Sequence, residues 1–243
     1  MKKHIPNLLT LGNLFSGTVA VIFAVKADYD TAAILVIFGI IFDFFDGFVA
    51  RLLNVSGELG KQLDSLADMV TSGVVPGIIM FQLLKGNYFS TLNFQFEAND
   101  SDYLPLLGLL LTLGACYRLA KFNLDTRQTS SFIGLPTPAM SLFVISLILI
   151  PTHFEYVFIN KLLTNQYILI AITLVLTYLM NANIYLFSLK FKNLKFKGNE
   201  FKYFLIVGSM ILVYLLSISS IPLIIILYIF LSQIKNITTN KEA

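Results

Sequence analysis

Apolar runs of bilayer-spanning length recur eight times along the 243 residues, at 7–25, 31–52, 62–84, 104–122, 137–153, 165–188, 202–217 and 221–235. Inside hydrocarbon every backbone N–H and C=O must be satisfied by the protein itself, so such segments span only as helices or as strands of a closed barrel. Their length, and the lack of two-residue alternation, selects helices. A soluble domain could not hide this much apolar surface, since 56% of the chain is hydrophobic and 13% charged. The expected fold is therefore all-α: a polytopic integral membrane bundle of about eight transmembrane helices. Pro222 divides the last long apolar run, which is expected to fold back as a helical hairpin.

The basic residues orient the bundle. With the N-terminus inside, fourteen of the seventeen Lys and Arg residues fall on the inner side, including Lys2, Lys3, Arg51, Lys61, Arg118, Lys121 and Arg127. Only Lys26, Lys85 and Lys161 fall outside, so both termini are expected in the cytoplasm. The acidic stretch 97–102 then lies outside, and the basic run 190–202 is a solvated inner loop drawn to anionic headgroups. The net charge of +3 follows from this topology; no basic, aromatic-interleaved surface points to nucleic acid. Lys2-Lys3 and the apolar run after it imitate a signal peptide. Asn7, Thr10, Gly12 and Asn13 interrupt that run, which favours an uncleaved first helix. The single Cys116 excludes an internal disulfide, and His4 and His153, near the ends of apolar segments, read as interfacial. The sequons at Asn54 and Asn236 fall on the inner face and are accidental. No fixed-period repeat or low-complexity linker appears, so residues 1–243 form a single membrane domain.

Within this apolar chain stand four carboxylates, Asp43, Asp46, Asp64 and Asp68. A charge inside a membrane segment costs at least ~2.5 kcal/mol, so four together need a strong compensating partner. Asp43 and Asp46 are three apart and Asp64 and Asp68 four apart, so each pair shares one helix face. Two helices joined by the stretch 52–63 can aim both pairs at one point near the cytoplasmic interface. Oxygen-only ligation suits Mg²⁺, Mn²⁺ or Ca²⁺ better than zinc or copper. Gly47 and Ala50 leave room on the same face for a bulky ligand, and Arg51 brings a fork suited to phosphate oxygens. Metals, an arginine and small residues on one face describe a diphosphate pocket. Gly73 and Gly77, by contrast, read as a helix-packing device.

The eight residues Asp43, Asp46, Gly47, Ala50, Arg51, Gly60, Asp64 and Asp68, at these spacings, resemble the signature of the CDP-alcohol phosphatidyltransferases. The resemblance implies a membrane enzyme that moves a phosphatidyl group from CDP-diacylglycerol to an alcohol and releases CMP. It implies that Asp43, Asp46, Asp64 and Asp68 hold two divalent cations, Mg²⁺ or Mn²⁺, and that Asp68 is also the general base. Gly47, Ala50, Arg51 and Gly60 would contact CDP-diacylglycerol, with Asn7 and the Ser56-Gly57 turn as further contacts. A core over 1–190 with the motif at 43–68, followed by a basic loop and helical hairpin over 191–243, is the expected organisation. A homodimer in the cell (inner) membrane, with its active site facing the cytoplasm, is expected on the same ground.

Three other stretches resemble the branch of the family whose acceptor is serine. They are Ile5 to Thr10 with Asn13 behind, Tyr117 to Asn123, and Phe132 to Ala139. Arg118 and Lys121 would then pair with the carboxylate of L-serine, and Asn123 would fix its orientation. The alternatives are a sister enzyme using glycerol 3-phosphate or an inositol compound and, more remotely, a divalent-cation transporter. A phosphorylated acceptor calls for a denser basic cluster than Arg118, Lys121 and Arg127. A transporter calls for carboxylates near mid-membrane and does not require the Gly47, Ala50, Arg51 spacing.

Overall fold

Two helices joined by a three-residue turn open the structure, a computed structural model that describes residues 4–55, 57–86, 103–125, 131–154, 157–189, 196 and 198–240. Helix α1 (His4–Val25) and helix α2 (Tyr29–Leu52) pack along their lengths. Small residues make this possible: Gly17, Ala20 and Ala24 of α1 and Ala32, Ala33 and Gly39 of α2 are all buried. Asp28 caps α2 by accepting from the Thr31 N–H at 3.1 Å. Asn54, with φ at 52°, turns the chain after α2, a left-handed position that asparagine tolerates.

Residues 58–85 form one continuous span: helix α3 (Glu58–Met69), a π-helical turn (Val70–Val74) and helix α4 (Val75–Lys85). Pro76 has no N–H to give to the carbonyl four residues back, and the Val75 N–H bonds Val70 O, five back. The ladder therefore widens at this point. Helix α4 is the hub of the bundle, with Val75, Ile79, Met80, Leu83 and Leu84 all in the core. A 3₁₀ turn (Leu104–Leu109) leads into helix α5 (Leu110–Leu124); helices α6 (Thr137–His153), α7 (Val157–Leu163) and α8 (Gln166–Asn181) follow. Among the described residues, five segments are long and apolar enough to cross a membrane, namely His4–Val25, Tyr29–Leu52, Glu58–Lys85, Leu104–Leu124 and Glu200–Thr238. The apolar helices over Thr137–Pro151 and Gln166–Asn181 are shorter. Large side chains such as Phe15, Phe38, Phe44, Leu113 and Tyr214 point outward from these segments, as lipid contact requires.

The last apolar stretch is folded in two. Helix α9 (Glu200–Leu216) and helix α10 (Ser220–Asn240) meet at a 3₁₀ turn (Ser217–Ser219), where Ser217 has φ at 50°. A Cβ on Gly208 would lie 3.0 Å from Leu227 Cδ2, so the two helices run back along each other as an antiparallel hairpin. Pro222 falls in the first turn of α10, where a missing N–H is harmless.

Several expected boundaries move. The run expected as a helix over 165–188 stops at Asn181, and Tyr185–Phe187 is strand β2, antiparallel to strand β1 (Ser131–Ile133). Among the described residues the helical bundle thus carries one two-stranded ladder. Gly134, with φ at 77°, bends the chain so that its N–H reaches Ile184 O at 2.9 Å, and a Cβ there would lie 2.2 Å from Met180 O. The third helix begins at 58 rather than 62, because its first turn, with Glu58 and Lys61, is too polar for a hydropathy boundary to find. Helix α7 was not expected. The stretch 97–102, Ser56, Arg127 and most of the basic run 190–202 lie outside the described residues.

Candidate active site

The carboxylates of Asp43 and Asp46 come from the last turns of α2, and that of Asp64 from α3. One oxygen from each lies within 4.8 Å of the others, so the three could together hold a metal ion. Asp46 is buried, while Asp43 and Asp64 are half-buried. The donor set is all oxygen, which suits a hard divalent cation. Asp64 Oδ1 is buried without a hydrogen-bond partner among the described residues, as a group awaiting a cation would be. Asp68, one turn beyond Asp64, is not one of the three. Its Oδ1 accepts from Asn13 Nδ2 at 3.1 Å.

An open cavity of about 210 Å³ adjoins these groups, lined by Pro6, Asn7, Thr10, Asp46, Gly47, Ala50, Val55, Gly57, Gly60, Lys61 and Asp64. Of the six described residues expected to contact the nucleotide-lipid substrate, five (Asn7, Gly47, Ala50, Gly57 and Gly60) therefore share one wall with two of the carboxylates. The sixth, Arg51, is not on that wall; its Nη1 lies 3.4 Å from where a Gly47 Cβ would stand. Glycine at 47 leaves the guanidinium room to fold back along α2.

The three residues expected to bind the acceptor do not form one group. Arg118 and Lys121 line a second recess with Phe122, Asp125, Ile133, Met180, Asn181 and Ala182. Arg118 is buried; its Nη1 donates to Thr137 Oγ1 at 3.3 Å, and its guanidinium lies 5.7 Å from the Phe122 ring centre. Its Nε is buried without a partner among the described residues. Asn123 turns the other way. Its side-chain Nδ2 donates to Ser65 Oγ at 2.9 Å and its backbone carbonyl accepts from Lys61 Nζ at 2.5 Å, so it clasps the end of α5 to α3.

Sequence reasoning missed four side chains here: Thr10, Lys61, Thr71 and Thr137. Thr10 Oγ1 contacts Asp46 Oδ2, Thr71 Oγ1 donates to Asn13 Oδ1 at 2.7 Å, and Lys61 lines the main cavity. A signal for Thr10 existed, since Asn7, Thr10 and Asn13 recur every three residues in an otherwise apolar helix. Nothing in the sequence marks Thr71, whose placement depends on the π turn.

A family model described as CDP-alcohol phosphatidyltransferase matches residues 3–186. The CDP-diacylglycerol–serine O-phosphatidyltransferase of Bacillus subtilis is 33% identical over 150 residues, which cover 59% of this chain and 76% of that protein. The enzyme of the same name from Helicobacter pylori strain J99 is 33% identical over 153 residues, covering 62% of this chain and 60% of that one. The chain thus spans about three-fifths of the latter's length. The CDP-diacylglycerol–glycerol-3-phosphate 3-phosphatidyltransferase of Aquifex aeolicus is 36% identical over 110 residues, covering 45% of this chain and 56% of that protein.

Proposed function

We propose, from the premise that this chain belongs to the CDP-alcohol phosphatidyltransferase family, that it transfers the phosphatidyl group of CDP-diacylglycerol to the hydroxyl of L-serine, giving phosphatidylserine and CMP. The observation that carries the proposal is the meeting of Asp43, Asp46 and Asp64 beside the 210 Å³ cavity walled by Asn7, Gly47, Ala50, Gly57 and Gly60. The names of the Bacillus and Helicobacter relatives support serine as the acceptor.

Asp43, Asp46, Asp64 and Asp68 would hold divalent cations, Mg²⁺ or Mn²⁺, which when bound supply positive charge for the diphosphate and the departing CMP. Gly47, Ala50, Gly57 and Gly60 let the diphosphate approach the backbone, and Arg51 and Asn7 hold its oxygens. Asp68 takes the proton as the serine oxygen bonds to the phosphorus bearing diacylglycerol and the bridging P–O bond to CMP breaks. Arg118, with a free Nε in a buried recess, receives the serine carboxylate, and Lys121 adds a second positive charge. Asn123 acts at one remove, through its clasp on α3.

The same proposal includes eight membrane helices, cytoplasmic termini and an active site on the inner face of the cell membrane, where serine is at hand. The division into a core over 1–190 and a hairpin after it, and pairing into a homodimer, belong to it too; the family match ending at 186 supports the division. The Aquifex relative favours a second reading, with glycerol 3-phosphate as acceptor. Membranes carrying the protein should be offered CDP-diacylglycerol with serine, glycerol 3-phosphate or inositol phosphate, and the lipid product identified. Phosphatidylserine is expected; phosphatidylglycerol phosphate would select the second reading.

A further inference from the structure

Helix α1 contributes no carboxylate, yet it touches two of the four. Thr10 and Asn13 are both buried, at 3% and 0% exposure, within an apolar helix. Thr10 Oγ1 contacts Asp46 Oδ2 on α2, and Asn13 Nδ2 donates to Asp68 Oδ1 on α3. The Asp68 carboxylate can only accept, so it takes the Nδ2 end of the Asn13 amide, and Oδ1 then faces Thr71 Oγ1, which donates to it at 2.7 Å.

Thr71 is itself locked in place. A Cβ on Gly17 would lie 2.2 Å from Thr71 Oγ1, and one on Gly39 would lie 2.6 Å from its Cγ2. Helices α1 and α2 thus each lack a side chain where Thr71 enters between them. Thr71 stands in the π-helical turn, three residues after Asp68, so the widened turn sets the direction from which its hydroxyl meets Asn13. Gly17, Gly39 and the turn converge on Thr71, and among the described residues both hydrogen bonds of its hydroxyl go to Asn13, to the backbone carbonyl at 3.1 Å and to Oδ1 at 2.7 Å.

We propose that Thr71, Asn13 and Thr10 are positioning residues: Thr71 orients Asn13, Asn13 fixes the carboxylate of Asp68, and Thr10 fixes that of Asp46. A carboxylate with one oxygen held by a protein donor presents the other in a set direction, whereas an unheld one rotates. Losing such an outer partner typically lowers metal affinity ~10–100-fold. The proposal rests on the metal-dependent reading above, and its test separates the two.

Full-length protein in detergent would be titrated with Mn²⁺ in the absence of substrate, reading thermal stabilisation, and then assayed for kcat and KM. Thr71→Val keeps the shape and removes the donor, whereas Thr71→Ser keeps the donor. Thr71→Val and Asn13→Leu should each raise the Mn²⁺ half-saturation ~10-fold or more. They should lower kcat while KM for CDP-diacylglycerol at saturating Mn²⁺ stays within about twofold. Thr71→Ser should restore the wild-type half-saturation, which a mere packing role would not predict. Asn13→Leu leaves Asp68 unsatisfied and is the more prone to misfold, so Thr71→Val decides. Wild-type half-saturation and kcat in a folded Thr71→Val would overturn the proposal. Asp43→Asn should lose the Mn²⁺ stabilisation; its persistence there would overturn the metal reading itself.

Discussion

Replacing Asp43, Asp46 or Asp64 by asparagine preserves the side chain's outline and removes one unit of ligand charge from a cluster whose oxygens lie within 4.8 Å. Because a metal clamp acts as a unit, each variant should lose at least ~100-fold in activity while still inserting into the membrane. Product formation against immunoblotted protein level checks this, and an active Asp46→Asn would remove the clamp. Arg118 makes a different prediction. Its contact with a serine carboxylate would exist before the transition state, so Arg118→Ala should raise KM for serine, with a loss of ~2–3 kcal/mol. Arg118→Lys should recover only part of it, since an ammonium lacks the two-pronged geometry. An unchanged KM for serine in Arg118→Ala would make Arg118 a packing residue of α5, held by Thr137 and the Phe122 ring. The aspartates were legible in the sequence because helical periodicity alone puts each pair on one face. The direction of Asn123 was not, because Asn123 is an end-of-helix residue whose partners, Ser65 and Lys61, come from another helix.

At the scale of elements, the helices were legible wherever apolar length alone defines them, as for α1, α2 and α6. They were not where a polar end or a backbone irregularity intervenes. The start of α3 is amphipathic, the π turn depends on Pro76 and its neighbours, and the β1–β2 ladder pairs segments more than fifty residues apart. Gly134 makes that ladder possible, and it is strained for any other residue on two counts: its φ of 77° and the Met180 carbonyl 2.2 Å from a Cβ. Gly134→Ala should therefore destabilise the protein by on the order of 1–3 kcal/mol. Gly57 is the useful contrast. It has extended φ, with nothing within 4 Å of its Cβ position, and it lines the main cavity. Gly57→Ala should leave the melting midpoint in detergent unchanged and raise KM for CDP-diacylglycerol. A lowered midpoint would show that Gly57 serves the turn and not the ligand.

For the molecule as a whole, orientation decides whether the cavity meets the cytosol. In a Cys116→Ser background, a cysteine at position 54 should react only with reagents that enter the cell, and one at 95–101 should react from outside. Labelling of position 54 in intact cells by an impermeant reagent would invert the bundle and deny serine its route. The hairpin beyond the family match is not detached from the rest. Tyr228 donates to Phe187 O at 2.8 Å and Asn236 to Tyr185 O at 2.7 Å, so α10 holds β2 at both ends. The contact between Thr10 and Asp46 has a consequence for synthesis. Helices α1 and α2 emerge from the ribosome ahead of α3, so Asp43 and Asp46 reach the membrane before Asp64, Asp68 and the turn that carries Thr71. Thr10 lies on α1, so the hydroxyl that meets Asp46 arrives ahead of it. Of the two early carboxylates, Asp46 has a hydroxyl partner within the first two helices, whereas Asp43 waits for α3 to bring Asp64 to its side.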